Sequence, residues 1–335
     1  MSGSDAPVAV VVVTWNSARF VDDCLGSLRA LTCPPAEIVL VDSGSLDRTT
    51  DIVRKRFPGV DVVECGSNVG FCRANNLGIA RTKSPFVLVL NPDTRLAPGF
   101  LEELLPAFAD PRVGLAAGRL LRFDGRTIDS AGQDLARSRQ PKDRGYGRTD
   151  RGQYDRDEEV FGVCGAAALY RRAMIDSVAD DGGAFFDERF FAFYEDLDVA
   201  WRARRLGWKA VYRFRAVGYH LRGGTADGFT TGRRWSALLG RSPDSRFHIA
   251  KNRYLVILRN DTWGGYLRNL PFILSWDLAT VGLLAMTSPG VLVRLWRERE
   301  VFRRALSQRG LDEAPGRHHV QDGSRDLGKG DRRTS

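Results

Sequence analysis

Phe86-Val87-Leu88-Val89-Leu90-Asn91-Pro92-Asp93 is the stretch on which the reading of the fold turns. Five apolar residues in a row, bounded by turn formers, are too few for a helix. They suit a strand buried on both faces, as in a parallel sheet. Parallel α/β sheets bind ligands in the crevice outside the carboxyl ends of their strands. A carboxylate placed there by a stiff proline can offer one metal ligand to a pyrophosphate. Asn-Pro and Pro-Asp also mark ordinary turns, so the tripeptide alone leaves both readings open.

Outward from this strand, the first half of the chain alternates between strand and helix patterns. Val8–Val13 reads as a first strand, and Ser17 can cap a helix running to about Leu31. Strands follow at Glu37–Val41 and Val60–Glu64, with a helix over Leu46–Phe57 between them. Further helices are predicted over Gly70–Arg81 and from about Pro98 to Phe108, and another strand over Val113–Leu121. This rhythm predicts a mostly parallel, Rossmann-like α/β sheet flanked by helices. Arg122–Glu159 breaks it: rich in Arg, Asp and Gly, it reads as an insertion or mobile loop over the sheet edge. Glu195–Leu206 reads as a helix and Lys209–Phe214 as a strand. A helical region runs from about Thr230 to Asn260.

The 335 residues carry 50 Lys and Arg against 41 Asp and Glu, a net charge of +9, and 43% are hydrophobic. A large core is available, and a basic balance suits nucleotides, anionic lipid or nucleic acid without choosing among them. The cysteines Cys24, Cys33, Cys65, Cys72 and Cys164 are odd in number and include no Cys-x-x-Cys pair. Neither zinc spacing nor a disulfide framework is expected, and a reducing compartment fits. Val8–Val13 is too short for the apolar core of a signal peptide.

Each predicted strand of the first half ends on polar residues. Thr14-Trp15-Asn16 follows the first, where a dinucleotide-binding protein would carry Gly-x-Gly-x-x-Gly; that class is disfavoured, and no Walker A sequence is present. Asp42-Ser43-Gly44-Ser45 follows the second, with Gly44 allowing a sharp turn. Asn68-Val69-Gly70-Phe71 follows the third, opening a helix whose N-terminus can face an anion, with Arg73 on its first turn. Asn16, Ser17, Ser45, Asp47 and Asn68 can each be an ordinary cap; the convergence of four strand ends, at Thr14-Trp15-Asn16, Asp42, Asn68 and Asp93, on one crevice is harder to explain that way. In the second half, Glu195, Asp196 and Asp198 crowd a helix start. There they either complement the helix dipole or supply a general base. His220, just past a strand, is either structural or a second metal ligand.

Taken together, Val-Val-Val-Thr-Trp-Asn (Val11–Asn16), Val-Asp-Ser-Gly-Ser (Val41–Ser45), Asn-Val-Gly-Phe (Asn68–Phe71), Asn-Pro-Asp-Thr (Asn91–Thr94), Tyr-Glu-Asp-Leu-Asp (Tyr194–Asp198) and His220 resemble an inverting glycosyltransferase of family 2 with the GT-A fold, over roughly residues 7 to 260. The Asn-Pro-Asp variant and Lys251-Asn252-Arg253 look most like bacterial rhamnosyltransferases. The resemblance implies that Thr14, Asn16 and Asp42 hold the nucleotide, with Asn68 and Arg73 supporting base and phosphates. Ser45, Gly70, Asn91 and Glu195 complete the implied sugar-nucleotide set. It further implies that Asp93 and His220 bind Mg²⁺ or Mn²⁺ and that Asp196 is the catalytic base. Asn91 departs from the pattern, standing where the family has the first Asp of Asp-x-Asp. An amide is a poorer ligand for a hard cation than a carboxylate.

The implied activity is transfer of a sugar, L-rhamnose from dTDP-L-rhamnose, to a hydroxyl of a saccharide or lipid-linked saccharide in cell-envelope polysaccharide synthesis. UDP and GDP sugars are the alternative donors. A sugar nucleotidyltransferase is a rival disfavoured by the missing Gly-rich basic loop after the first strand, and an inactive scaffold is disfavoured by Asp93, Asp196 and His220. Residues 1–225 form the expected catalytic domain, with the insertion at about 122–159. Residues 226–311 form a helical region and 312–335 a disordered tail. Asp277 and Pro289 interrupt the apolar stretch Phe272–Val293, so a helix lying on a membrane surface is expected rather than a span. Its arginines would meet anionic lipid, giving a cytoplasmic protein peripheral on the inner face of the plasma membrane. Core packing with a solvated Arg face is the alternative. No nucleic-acid partner is expected.

Overall fold

A computed structural model describes residues 6–222 and 240–312. The 230–239 part of the expected helical region and the tail beyond residue 312 lie outside the described residues.

The first half builds β1 (Ala6–Thr14), α1 (Val21–Arg29), β2 (Pro35–Asp42), α2 (Thr49–Arg56), β3 (Asp61–Glu64), α3 (Phe71–Ala80) and β4 (Phe86–Leu90). These strands are parallel and ordered β3-β2-β1-β4. The order reverses between β1 and β4, which opens a crevice at their carboxyl ends. In β4, Val87, Leu88, Val89 and Leu90 are all buried. Val87 and Val89 face one apolar cluster, shared with Val11; Leu88 and Leu90 face another, shared with Val8, Val10 and Val12. Each such side chain contributes about 1.5–3 kcal/mol by burial, so the register of this strand is firmly set. Ser17 does not cap α1; Phe20 occupies that position with no side-chain cap, and the Ser17 amide is held by Thr49 at 2.9 Å.

Beyond β4 come β5 (Thr94–Leu96), α4 (Phe100–Leu104), β6 (Val113–Leu121), β7 (Ile128–Ser130), β8 (Gln133–Leu135), β9 (Pro141–Asp143), β10 (Glu158–Val160), β11 (Ala167–Arg171), α5 (Arg172–Val178), α6 (Glu195–Arg205) and β12 (Lys209–His220). The sheet continues β4-β11-β6-β12-β10. Because β11 runs antiparallel to both β4 and β6, the parallel arrangement holds for the first half and the sheet as a whole is mixed. The Arg/Asp/Gly-rich segment lies at the sheet edge as expected, but it is not a structureless loop. It contributes β7 against β6, β10 against β12, and the separate pair β8–β9.

Four helices follow: α7 (Pro243–Asn260), α8 (Trp263–Thr287), α9 (Pro289–Arg297) and α10 (Glu300–Asp312). The apolar stretch Phe272–Val293 is broken at Pro289 as expected, where α8 has ended and α9 opens, while Asp277 lies inside α8 without ending it. With 25 residues, a mean hydropathy of 1.5 and little burial, α8 is long and apolar enough to cross a membrane. Asp277, inside it, is paired to Arg253 of α7 at 2.6 Å, which ties α8 to the rest of the protein.

Candidate active site

The parallel register sets Thr14 beside Asp42, and the Thr14 hydroxyl donates to Asp42 Oδ1 at 2.9 Å. Ser45 donates to the same carboxylate through its hydroxyl (2.5 Å) and its amide (2.8 Å). Asn16, at φ 51°, links the two strand ends: its backbone N–H donates to Ser45 Oγ at 2.8 Å and its Oδ1 accepts from Leu46 N at 2.8 Å. Gly44 is required at its turn, where φ is +74° and a Cβ would sit 2.5 Å from the Ser67 backbone. Asn68 Oδ1 accepts from Gly70 N at 3.0 Å and from Ser43 Oγ at 3.3 Å. Asn68 therefore shapes the entry to α3, whose N-cap is Gly70. Arg73 is exposed on the first turn of α3. Trp15 is 53% exposed and so is not a core residue.

Asn91 is half-buried, and its backbone N–H donates to Ala166 O at 2.9 Å. Asp93 meets His220 because β5 pairs antiparallel with the end of β12, setting Thr94 opposite His220. His220 Nε2 lies 3.3 Å from Asp93 Oδ1, and Nδ1 lies 2.8 Å from Asp129 Oδ2. Burial alone would lower the His220 pKa, but hydrogen bonds to Asp129 and Asp93 outweigh it and push it up to about 9. The imidazole thus carries a proton between two carboxylates, a place a cation can take over.

The three carboxylates at the start of α6 separate into different roles. Asp198 is structural: buried, it pairs with Arg202 (2.8 Å) and accepts from Asn260 (2.8 Å). Asp196 Oδ2 accepts from Gln133 Nε2 at 2.8 Å and from Gly165 N at 3.2 Å. Burial, then the nearby Asp143 charge, raises its pKa. Burial and Asp196 raise the Glu195 carboxyl, whose Oε2 has no hydrogen-bond partner.

Four residues absent from the sequence reading join these groups. Asp129 Oδ1 accepts from Arg222 Nε at 2.5 Å, and Arg222 Nη2 donates to Asp143 Oδ2 at 2.7 Å. Gln133 Nε2 lies 3.4 Å from Asp143 Oδ1 and donates to Asp196. An unbroken polar chain therefore runs Asp93–His220–Asp129–Arg222–Asp143–Gln133–Asp196. Three of its members come from the Arg/Asp/Gly-rich segment, whose composition resembles a solvated loop and gives no local signal of this role.

Among the described residues, no group of three or more His, Cys, Asp or Glu is arranged to hold a metal ion. Asp93 and His220 supply two donors, with Asp129 on the far ring nitrogen in the usual supporting position for a ligating histidine. That donor set fits an ion that takes one or two protein ligands and completes its shell with substrate phosphates and water.

Comparison with solved structures places this architecture among the GT-A glycosyltransferases. The crystal structure of Staphylococcus aureus TarS 1-349 superposes with a TM-score of 0.55 at 18% identity, covering 90% of this chain and 81% of that one. A mannosyltransferase from Pyrobaculum calidifontis, in complex with GDP-Man and Mn²⁺, gives 0.52 at 16% identity, covering 93% and 91%. The family model described as "Glycosyl transferase family 2" matches residues 9–179, and the chain belongs to that family. A relative from Mycobacterium tuberculosis, N-acetylglucosaminyl-diphospho-decaprenol L-rhamnosyltransferase, is 33% identical over 229 residues, 61% of this chain and 72% of its own length.

Proposed function

We propose that this glycosyltransferase transfers L-rhamnose from dTDP-L-rhamnose to a hydroxyl of a lipid-linked saccharide, with inversion at the anomeric carbon, in cell-envelope polysaccharide synthesis. The polar chain from Asp93 to Asp196 carries the reading. It couples a site suited to a diphosphate and its cation with a half-buried carboxylate suited to accepting a proton. The rhamnosyltransferase relative supports the choice of sugar and of a lipid-linked acceptor.

In this reading the nucleotide lies across the β1–β2–β3 ends, against Asn16, Asp42, Ser45 and Asn68, with Thr14 holding Asp42 in place. Gly70 at the start of α3 and Arg73 face the phosphates. Asp196 takes the proton from the acceptor hydroxyl as that oxygen forms its bond to the anomeric carbon. The bond from that carbon to the phosphate oxygen breaks on the opposite face, and the nucleoside diphosphate leaves. Asp93 and His220 would hold Mg²⁺ or Mn²⁺, which when bound neutralises charge on the departing diphosphate. Asn91 and Glu195, both flanking the crevice, bond the sugar. The half-exposed face of α8 and α9, with Leu278, Met286 and Trp296 each more than 60% exposed, rests on the cytoplasmic leaflet where a lipid-linked acceptor resides.

A thermal-shift panel of nucleotide sugars with and without Mn²⁺ tests the donor. A ligand that binds only the native state raises its stability by mass action, so dTDP-L-rhamnose with Mn²⁺ should give the largest shift. A shift with UDP or GDP sugars and none with dTDP-L-rhamnose overturns the donor assignment.

A further inference from the structure

We propose that Asn252 of α7 is a positioning residue for the carboxylate pair: its carboxamide fixes the loop Phe191–Tyr194, which delivers Glu195 and Asp196 to the crevice. The proposal rests on the reading of Asp196 as the base.

The loop has an uncommon backbone. Phe191, Phe193 and Tyr194 have φ of 64°, 73° and 70°, values that bulky L residues rarely adopt. Such conformations persist only where the surroundings over-determine them, and they cluster at functional sites. Here the surroundings converge on one side chain. Asn252 Nδ2 lies 2.8 Å from Phe190 O, 2.7 Å from Ala192 O and 2.7 Å from Phe193 O. Asn252 is completely buried, and its Oδ1 has no hydrogen-bond partner. Both N–H groups of the carboxamide are therefore taken up among these three carbonyls, two of them in the loop and the third, of Phe190, directly before it. The adjacent Lys251 Nζ donates to Arg189 O at 2.5 Å.

The same loop touches the proposed donor site. Phe191 O accepts from Cys72 N at 3.0 Å, and the Phe191 ring lies so close to Gly70 that a Cβ there would sit 2.5 Å from Cδ2. On the other side, Asp198 N donates to Tyr194 O at 2.9 Å, closing the first turn of α6 directly after the loop. Displacing the three carbonyls from Asn252 would shift the start of α6 and with it Asp196. The docking of α7 does not depend on Asn252 alone, because Asn260 holds Asp198 and Arg259 pairs with Asp187.

Asn252→Leu keeps the branched skeleton, with bulkier methyl ends, and removes the donor; Asn252→Ser keeps one donor and admits water. With both proteins, transfer kinetics, nucleotide-induced thermal shift and the pH profile of kcat would be measured. The expected result for the Leu variant is a kcat lower by about 10–100-fold, the scale of an ångström-sized misplacement. Donor KM and the nucleotide-induced shift should stay within about threefold, since the strand-end contacts are intact. The acid limb of kcat should also move to lower pH. Asp196 now titrates facing Asp143, Glu195, Tyr170 and Cys164, and a loosened loop hydrates it. If the Leu variant loses its nucleotide shift, the Ser variant decides on the same criteria. A kcat within threefold of wild type in a nucleotide-binding variant, or a loss confined to KM, overturns the positioning role. A wild-type protein that transfers no sugar from any nucleotide donor instead overturns the functional reading beneath it.

Discussion

His220 touches Asp93 with one ring nitrogen, at 3.3 Å, and Asp129 with the other, at 2.8 Å. The residue that faces the crevice is thereby oriented by a carboxylate that does not. Asp129 is fully buried and also holds Arg222. If Asp93 and His220 hold the cation as proposed, Asp129→Asn should weaken the metal response by about 10–100-fold, the scale for losing a supporting carboxylate behind a ligating histidine. The measurement is transfer rate against Mn²⁺ concentration; an unchanged half-saturation point would remove Asp129 from the site's function.

Asp196→Asn tests the base. General-base removal costs about 10²–10⁴-fold in rate, while the donor contacts at the strand ends are untouched. Transfer should collapse and the nucleotide-induced thermal shift persist. Ordinary turnover by this variant would reassign the base.

The pH dependence follows from the direction of the Asp196 shift. A base acts as the carboxylate, and burial and Asp143 raise its pKa above the ordinary Asp value of 3.8. Activity should therefore fail, as pH is lowered, above the usual carboxylate range rather than within it. An acid limb of kcat below pH 4 would contradict this.

Glu195 should cost stability where it serves the site. Its folded-state pKa is raised above the ordinary 4.5 by burial and by Asp196, so the folded protein binds this proton more tightly than the unfolded chain. Stability is then least penalised below the unfolded value and falls as pH rises through the folded one. Glu195→Gln should melt higher than wild type at neutral pH, with the advantage vanishing near pH 4. A variant less stable at every pH would indicate that the charge is favourably paired.

The membrane assignment is tested on vesicles. Trp263, Leu267, Leu278, Met286 and Trp296 are exposed on α8 and α9, with Arg297 at the end of α9 and Arg299 just beyond it also exposed. Co-sedimentation with anionic vesicles should be strong at low salt, and Leu278→Glu with Trp296→Glu should abolish it. Equal binding to neutral vesicles at high salt would assign the attachment to the apolar face alone.

Much of this was legible in the chain. The strand Phe86–Leu90 and the strand Val113–Leu121 fall where periodicity sets them, because burial on both faces of a sheet demands continuous apolar runs. The polar strand ends at Thr14, Asp42, Asn68 and Asp93 follow from those boundaries, since a parallel sheet brings all its carboxyl ends to one edge. What periodicity could not convey was which distant segments return to that edge. Asp129 reaches His220 across 91 residues, Gln133 reaches Asp196 across 63, and Asn252 reaches Phe193 across 59. Local pattern reports which face of an element is apolar; it carries no record of the partner. The sequence therefore determined the sheet, its crevice and the chemistry available at its rim. Only the tertiary structure decided that an Arg- and Asp-rich segment orients that chemistry and that a C-terminal helix holds it, because buried polar groups are settled by the partners that fold back to meet them.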